Sequence, residues 1–202
     1  MLQTLELTAA QLCQSIRDEW ESHRQEIPWG VEDYGPWTEW VKSTFHNIGA
    51  RELQGCSEWG VESTRLPDGR GRGEYLVDVC WWVEREGRYR LELAVESEWN
   101  PHKSEIEHDF YKLVDVKSRL KVWVCSYRPQ LLNDRLLALE QAVRSAQIKS
   151  DDEEYLILNL PETQTSKFVS SFTVQPFIFD SQGNQRTPPL PEFIVRKTED
   201  SH

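Results

Sequence analysis

The sequence has no run of about 18 apolar residues, the length a helix needs to span a bilayer, so no membrane-spanning helix is expected. Residues 1–7 contain Glu6 and no basic segment leading into an apolar run, so no secretory leader is expected either. The four cysteines, Cys13, Cys56, Cys80 and Cys125, stand far apart and form no CxxC pair. That spacing argues against a zinc site or a disulfide framework and predicts reduced thiols in a cytoplasmic protein. His23, His46, His102 and His108 lack metal-ligand spacing, and no GxSxG or Cys-His signature is present. Gly69, Gly71 and Gly73 alternate with arginine ahead of a strand, not a helix, which excludes a nucleotide-cradling loop. Positive charge is also short: 23 Lys and Arg against 34 Asp and Glu leave a net charge of −11. Sequence-independent binding to polyanions through a basic surface is therefore disfavoured.

What is present begins with tryptophan, nine in 202 residues. A chain this long can bury about 70% of its unfolded surface and needs no covalent or metal staple. We read a single α/β domain over residues 1–180 and a proline-containing arm over 181–202. Thr8 and Gln11 form a capping-box pattern ahead of Leu12, Ile16 and Trp20, which predicts a helix over about 9–24. A second helix is expected from Trp37 or Thr38 to Ile48. Residues 75–83 and 89–99 read as a hairpin, with Leu91, Leu93 and Val95 on one face and Glu92, Ala94, Glu96 and Glu98 on the other. A helix over about 105–118 and a strand over 120–127 complete a βαβ unit, which makes the third strand parallel to the second. A helix over about 133–148 and strands over 155–160 and 168–179 follow.

The hairpin carries the chemistry. Asp78 lies among apolar strand residues, where an unpaired carboxylate is costly. Glu96 and Glu98, two apart, share a strand face. A three-residue loop Arg85-Glu86-Gly87 would place Asp78 opposite Ala94, on the face of both glutamates; a two- or four-residue loop would turn it away. Three carboxylates on one face repel unless a cation joins them, and oxygen ligands with room for water suit magnesium or manganese. The plainer alternative is that Glu96 and Glu98 form the polar face of an edge strand.

The strings Leu76-Val-Asp-Val79, Ala94-Val-Glu-Ser-Glu-Trp99, Asp109-Phe-Tyr-Lys-Leu113 and Lys121-Val-Trp-Val124 resemble the PD-(D/E)XK, restriction-endonuclease-like superfamily. The similar core spans about residues 37–127. The resemblance implies a restriction-endonuclease-like mixed sheet, antiparallel hairpin plus βαβ extension, flanked by helices. It also implies Asp78 and Glu96 as ligands of Mg2+ or Mn2+, the Ser97 carbonyl as a third ligand, and hydrolysis of phosphodiester bonds in DNA. Glu98 stands where the motif has lysine. Water activation then falls to Glu98, to a second metal or to a lysine from the next helix, with Lys112 the best placed. Glu39 is a candidate for a further helix-borne glutamate, without a local signal that singles it out.

Charge along the chain is uneven. Residues 112–135 hold six bases (Lys112, Lys117, Arg119, Lys121, Arg128 and Arg135) against two acids, and Arg65, Arg70 and Arg72 add three more upstream. Two functional readings stand: a divalent-metal nuclease acting on DNA, or a catalytically inactive protein on the same scaffold that binds a protein partner through its acidic, Trp-rich surface. A homodimer is compatible with both.

Overall fold

The computed structural model describes residues 7–56, 58–63, 77–99, 103–147, 150–161 and 170–198. Helix α1 (Ala9–Ser22) opens on the Thr8–Gln11 capping box, and its stripe of Leu12, Ile16 and Trp20 is fully buried. Helix α2 (Tyr34–Glu52) starts earlier than the apolar stripe suggests. The Asp33 carboxylate accepts from the Gly35 amide, and Pro36 sits in the first turn, where its missing N–H leaves no bond unmade.

The strands are β1 (Trp59–Ser63), β2 (Val79–Arg85), β3 (Arg88–Glu98), β4 (Ser118–Cys125), β5 (Glu154–Asn159), β6 (Ser171–Asp180) and β7 (Phe193–Arg196). They form one seven-stranded sheet in chain order. The β3–β4 and β4–β5 pairs are parallel, joined through α3 (Lys103–Asp115) and α4 (Pro129–Ser145); every other pair is antiparallel. The sheet is therefore mixed and flanked by helices. Strands β1 and β7 lie in stretches the sequence reading left without a strand. The β7 residues Phe193 and Val195 are buried in the core, although they belong to the segment read as an arm.

Two apolar layers hold the sheet. On one side α1 and α2 cover Val79, Trp81, Leu93, Val95, Val122 and Leu156. Much of the tryptophan packs here: Trp20 and Trp40 rings lie 4.6 Å apart, with Phe172 edge-on 6.0 Å from Trp20. Gly49 lets α2 approach closely, because a Cβ there would sit 2.5 Å from Val61 and 2.7 Å from the Trp81 indole. On the other side Phe110, Leu113, Trp123, Tyr155 and Phe179 form the core beneath α3 and α4.

The hairpin differs from expectation in two ways that cancel. Its loop has two residues, Glu86 at φ 55° and Gly87 at φ 74°, between the paired Arg85 and Arg88; positive φ at both centres is the geometry that matches strand twist. Taken alone, this loop would send Asp78 to the wrong face. The register shifts, however, between Trp81, which faces Leu93, and Trp82, which faces Leu91. Glu92 is the extra residue of a β-bulge. It ends the alternation read from sequence: Leu91 packs toward α3 and α4, whereas Leu93 and Val95 face α1 and α2. Beyond the bulge Val79 pairs with Val95, which brings Asp78 level with Glu96, not with Ala94.

Candidate active site

Asp78 immediately precedes β2, and its carboxylate accepts from both the amide (3.0 Å) and the hydroxyl (2.7 Å) of Ser97 on β3. Burial is the largest influence and the net shift of its pKa is upward, although the Ser97 hydrogen bonds and the charges of Lys42 and Lys112 oppose it. Both Ser97 groups donate, so they favour the ionised form.

Glu96 is 6% exposed and differently placed. Its ion pair among the described residues is with Lys112, at 3.9 Å, beyond hydrogen-bond reach. Burial, and then the charge of Asp78, push its pKa up to about 9. At neutral pH Glu96 is therefore a protonated acid beside the Asp78 carboxyl group, which Ser97 holds through two donors. Glu98 lies two residues along the same strand, half-buried, and is the least of the charges acting on Glu96.

Lys112 reaches this group because α3 lays Phe110 and Leu113 on the sheet and turns Asp109 and Lys112 toward the flank. Its ammonium pairs with Asp109 at 2.5 Å as well as with Glu96. Burial depresses the Lys112 pKa, but the Asp109 bond and the surrounding carboxylates outweigh it and the net shift is upward. The structure thus groups Asp78, Ser97, Glu96, Asp109 and Lys112, with Glu98 at the margin.

Two contributors come from α2: Glu39, which the sequence offered as a candidate without a local signal, and Lys42, which it did not. Lys42 is buried, acts on Asp78 and pairs with Glu39 at 3.0 Å. The other Glu39 oxygen is buried and lacks a hydrogen-bond partner. The available signal was a Glu–Lys pair three apart, on a helix whose stripe runs through Trp40, Val41 and Phe45. Trp99, just past the Glu-Ser-Glu string, is 6% exposed and donates to Thr38 at 2.9 Å, tying the end of β3 to α2. Among the described residues no group of three or more His, Cys, Asp or Glu side chains is arranged to hold a metal ion. The ammonium groups of Lys42 and Lys112 supply positive charge beside these carboxyl groups. Arg65, Arg70 and Arg72 lie outside the described residues.

No protein-family model and no curated protein matches the chain. Among solved structures it is similar to a CN-hydrolase superfamily protein from Xanthomonas campestris, at 10% identity and TM-score 0.31, over 68% of this chain and 48% of that one. It is also similar to a carbon-nitrogen hydrolase from Helicobacter pylori, at 7% identity and TM-score 0.36, over 96% of this chain and 83% of that one. The chain spans about half the length of the first. These are carbon-nitrogen hydrolases and not nucleases, so they correct the PD-(D/E)XK resemblance. The DNA-cleaving activity that the resemblance implied is withdrawn with it. The physical reason is that Asp78 and Glu-Ser-Glu form a short, degenerate string without the motif lysine, and such a string fixes a hairpin but not a family. Likeness this distant carries no activity over to the present chain. Among the described residues no helix is long and apolar enough to cross a membrane.

Proposed function

We propose that the chain is a hydrolytic enzyme working by general acid–base catalysis, with Asp78, Glu96 and Lys112 at its centre. One observation carries the proposal: burial raises both neighbouring carboxyl groups, but the Ser97 donors and the charges of Lys42 and Lys112 oppose the rise at Asp78, whereas Glu96 is pushed up to about 9, a difference that assigns a base and an acid. Asp78, fixed by Ser97, takes a proton from water as the water attacks. Glu96, protonated at neutral pH, gives its proton to the leaving group. Lys112, anchored by Asp109, supports the negative charge that develops between them. Lys42 limits the cost of ionising Asp78 in a buried setting.

The test is turnover of chromogenic esters and amides by the wild type and by Glu96→Gln and Asp78→Asn, with and without magnesium or manganese. Loss of one acid–base partner typically costs about 10²–10⁴ in rate, so both variants should fall by at least about 100-fold while still melting cooperatively. The wild-type rate should decline on the alkaline side as Glu96 loses its proton near pH 9. Activity untouched in both variants, or no turnover of either substrate class, would overturn the reading. A strict requirement for an added ion would move water activation from Asp78 to that ion.

A further inference from the structure

At the other end of the hairpin, away from the carboxylates, lies a groove that the acid–base reading does not use. A notch of about 320 Å³ is lined by Trp82, Tyr89, Arg90, Leu91 and Glu62. Tyr89, Arg90 and Leu91 also line a wider cleft of about 600 Å³ between the start of β3, the start of β4 and the turn before β5. The two ends differ in chemistry. In the notch the Trp82 and Tyr89 rings stand edge to face, centroids 5.0 Å apart and planes at 85°, and Tyr89 is 68% exposed. The cleft is lined by four cationic residues, Arg88, Arg90, Lys117 and Arg119, on a molecule whose net charge is −11.

The acids lining the groove do not cancel these cations one for one. Glu62 accepts from the Trp82 indole at 3.1 Å. Glu92 pairs with Arg119, and Glu153 with the buried Lys121. Asp152 accepts from the Ser150 hydroxyl. Arg119 is also held by the Leu7 carbonyl at 2.6 Å, so a cationic group on the groove floor is already fixed. Arg88, Arg90 and Lys117 are exposed at its mouth.

We propose that this groove binds a nucleoside phosphate, the heterocycle against Trp82 and Tyr89 and the phosphate among Arg88, Arg90 and Lys117. A flat ring suits an exposed aromatic face, and a phosphate suits guanidinium groups that can donate in pairs. An apolar ligand would leave the cations unused, and a bare anion would leave the aromatic notch empty.

The experiment is calorimetric titration of the intact chain with AMP, adenosine and inorganic phosphate at low salt. AMP should bind at least about tenfold more tightly than adenosine or phosphate, because only AMP fills both ends. Arg90→Glu should weaken AMP at least about tenfold, since a repulsive charge replaces a phosphate partner. Tyr89→Ala should bring AMP down toward phosphate, and each variant should keep the wild-type melting temperature. No binding of AMP at about 5 mM, phosphate binding as tightly as AMP, or Arg90→Glu leaving the affinity unchanged would each overturn the proposal.

Discussion

Two lysine–carboxylate groups lie on the α3–α4 side of the sheet, and they solve the same problem in opposite ways. Around Lys121 one ammonium faces one carboxylate. Its three protons find three acceptors: the Val114 carbonyl at 3.0 Å, Glu153 at 3.0 Å and the Tyr155 hydroxyl at 3.1 Å. The Tyr155 hydroxyl in turn donates to Glu153 at 3.2 Å. Around Lys112 one ammonium serves Asp109 and Glu96, with Asp78 within its influence. The first group is closed and balanced, so its chemistry is spent on holding the fold. The second carries more acid than base, and burial, followed by the charge of Asp78, raises the proton affinity of Glu96. Burial is common to both; what separates structural from reactive is whether donors and acceptors match.

The comparison breaks most visibly at Lys121. Lys121→Met should leave Glu153 charged and buried, and loss of one partner of a buried pair costs about 3–5 kcal/mol; a urea or thermal melt checks it. Lys112→Met, at a half-exposed site, should cost less than about 1 kcal/mol by the same measurement. Glu96 gives the next effect. Its folded pKa of about 9 stands above the 4.5 of an ordinary glutamate, so between those limits the unfolded chain releases a proton that the folded chain keeps. Stability should therefore fall as pH rises through that window, by up to about 1.4 kcal/mol per pH unit. Glu96→Gln should flatten that slope, as melts at pH 5, 7 and 9 would read. The smallest effects are opposed shifts of Glu96 itself, seen by carboxyl-carbon NMR titration. Asp78→Asn should lower its pKa by removing a like charge, and Lys112→Met should raise it by removing an opposite one.

Local pattern carried most of the elements. The capping box at Thr8, the stripe of Phe110 and Leu113, and the strand from Leu120 to Cys125 all read directly as periodicity. What did not read was set at longer range. Strand β1 is short and half-buried along most of its length, and β7 alternates buried and exposed residues after a proline-rich stretch that masks it. The site residues on β3 and α3 were visible because carboxylates within apolar strings are conspicuous. Lys42 was not, because its one local signal, a glutamate three residues before it, is equally common for a helix lysine in solvent. The acid–base character of Glu96 was equally hidden, since it depends first on burial in the folded sheet and then on Asp78 arriving beside it across a hairpin. The expected contact came about by another route, two loop residues and a bulge in place of three loop residues. The family resemblance went astray because the same strings suit any hairpin with an acidic face.

The bulge at Glu92 also divides the hairpin into two mechanically separate halves. On the loop side, Arg85 to Trp82 against Arg88 to Leu91 carries the aromatic and cationic groove; beyond it, Val79 to Trp81 against Leu93 to Val95 leads to the carboxylates. Because the alternation restarts at the bulge, changes near the loop need not propagate their register to Asp78 and Glu96. The two ends of one hairpin can thus be altered independently, and a graft of a new loop and recognition surface at residues 85–91 should leave the proton chemistry at the far end in place.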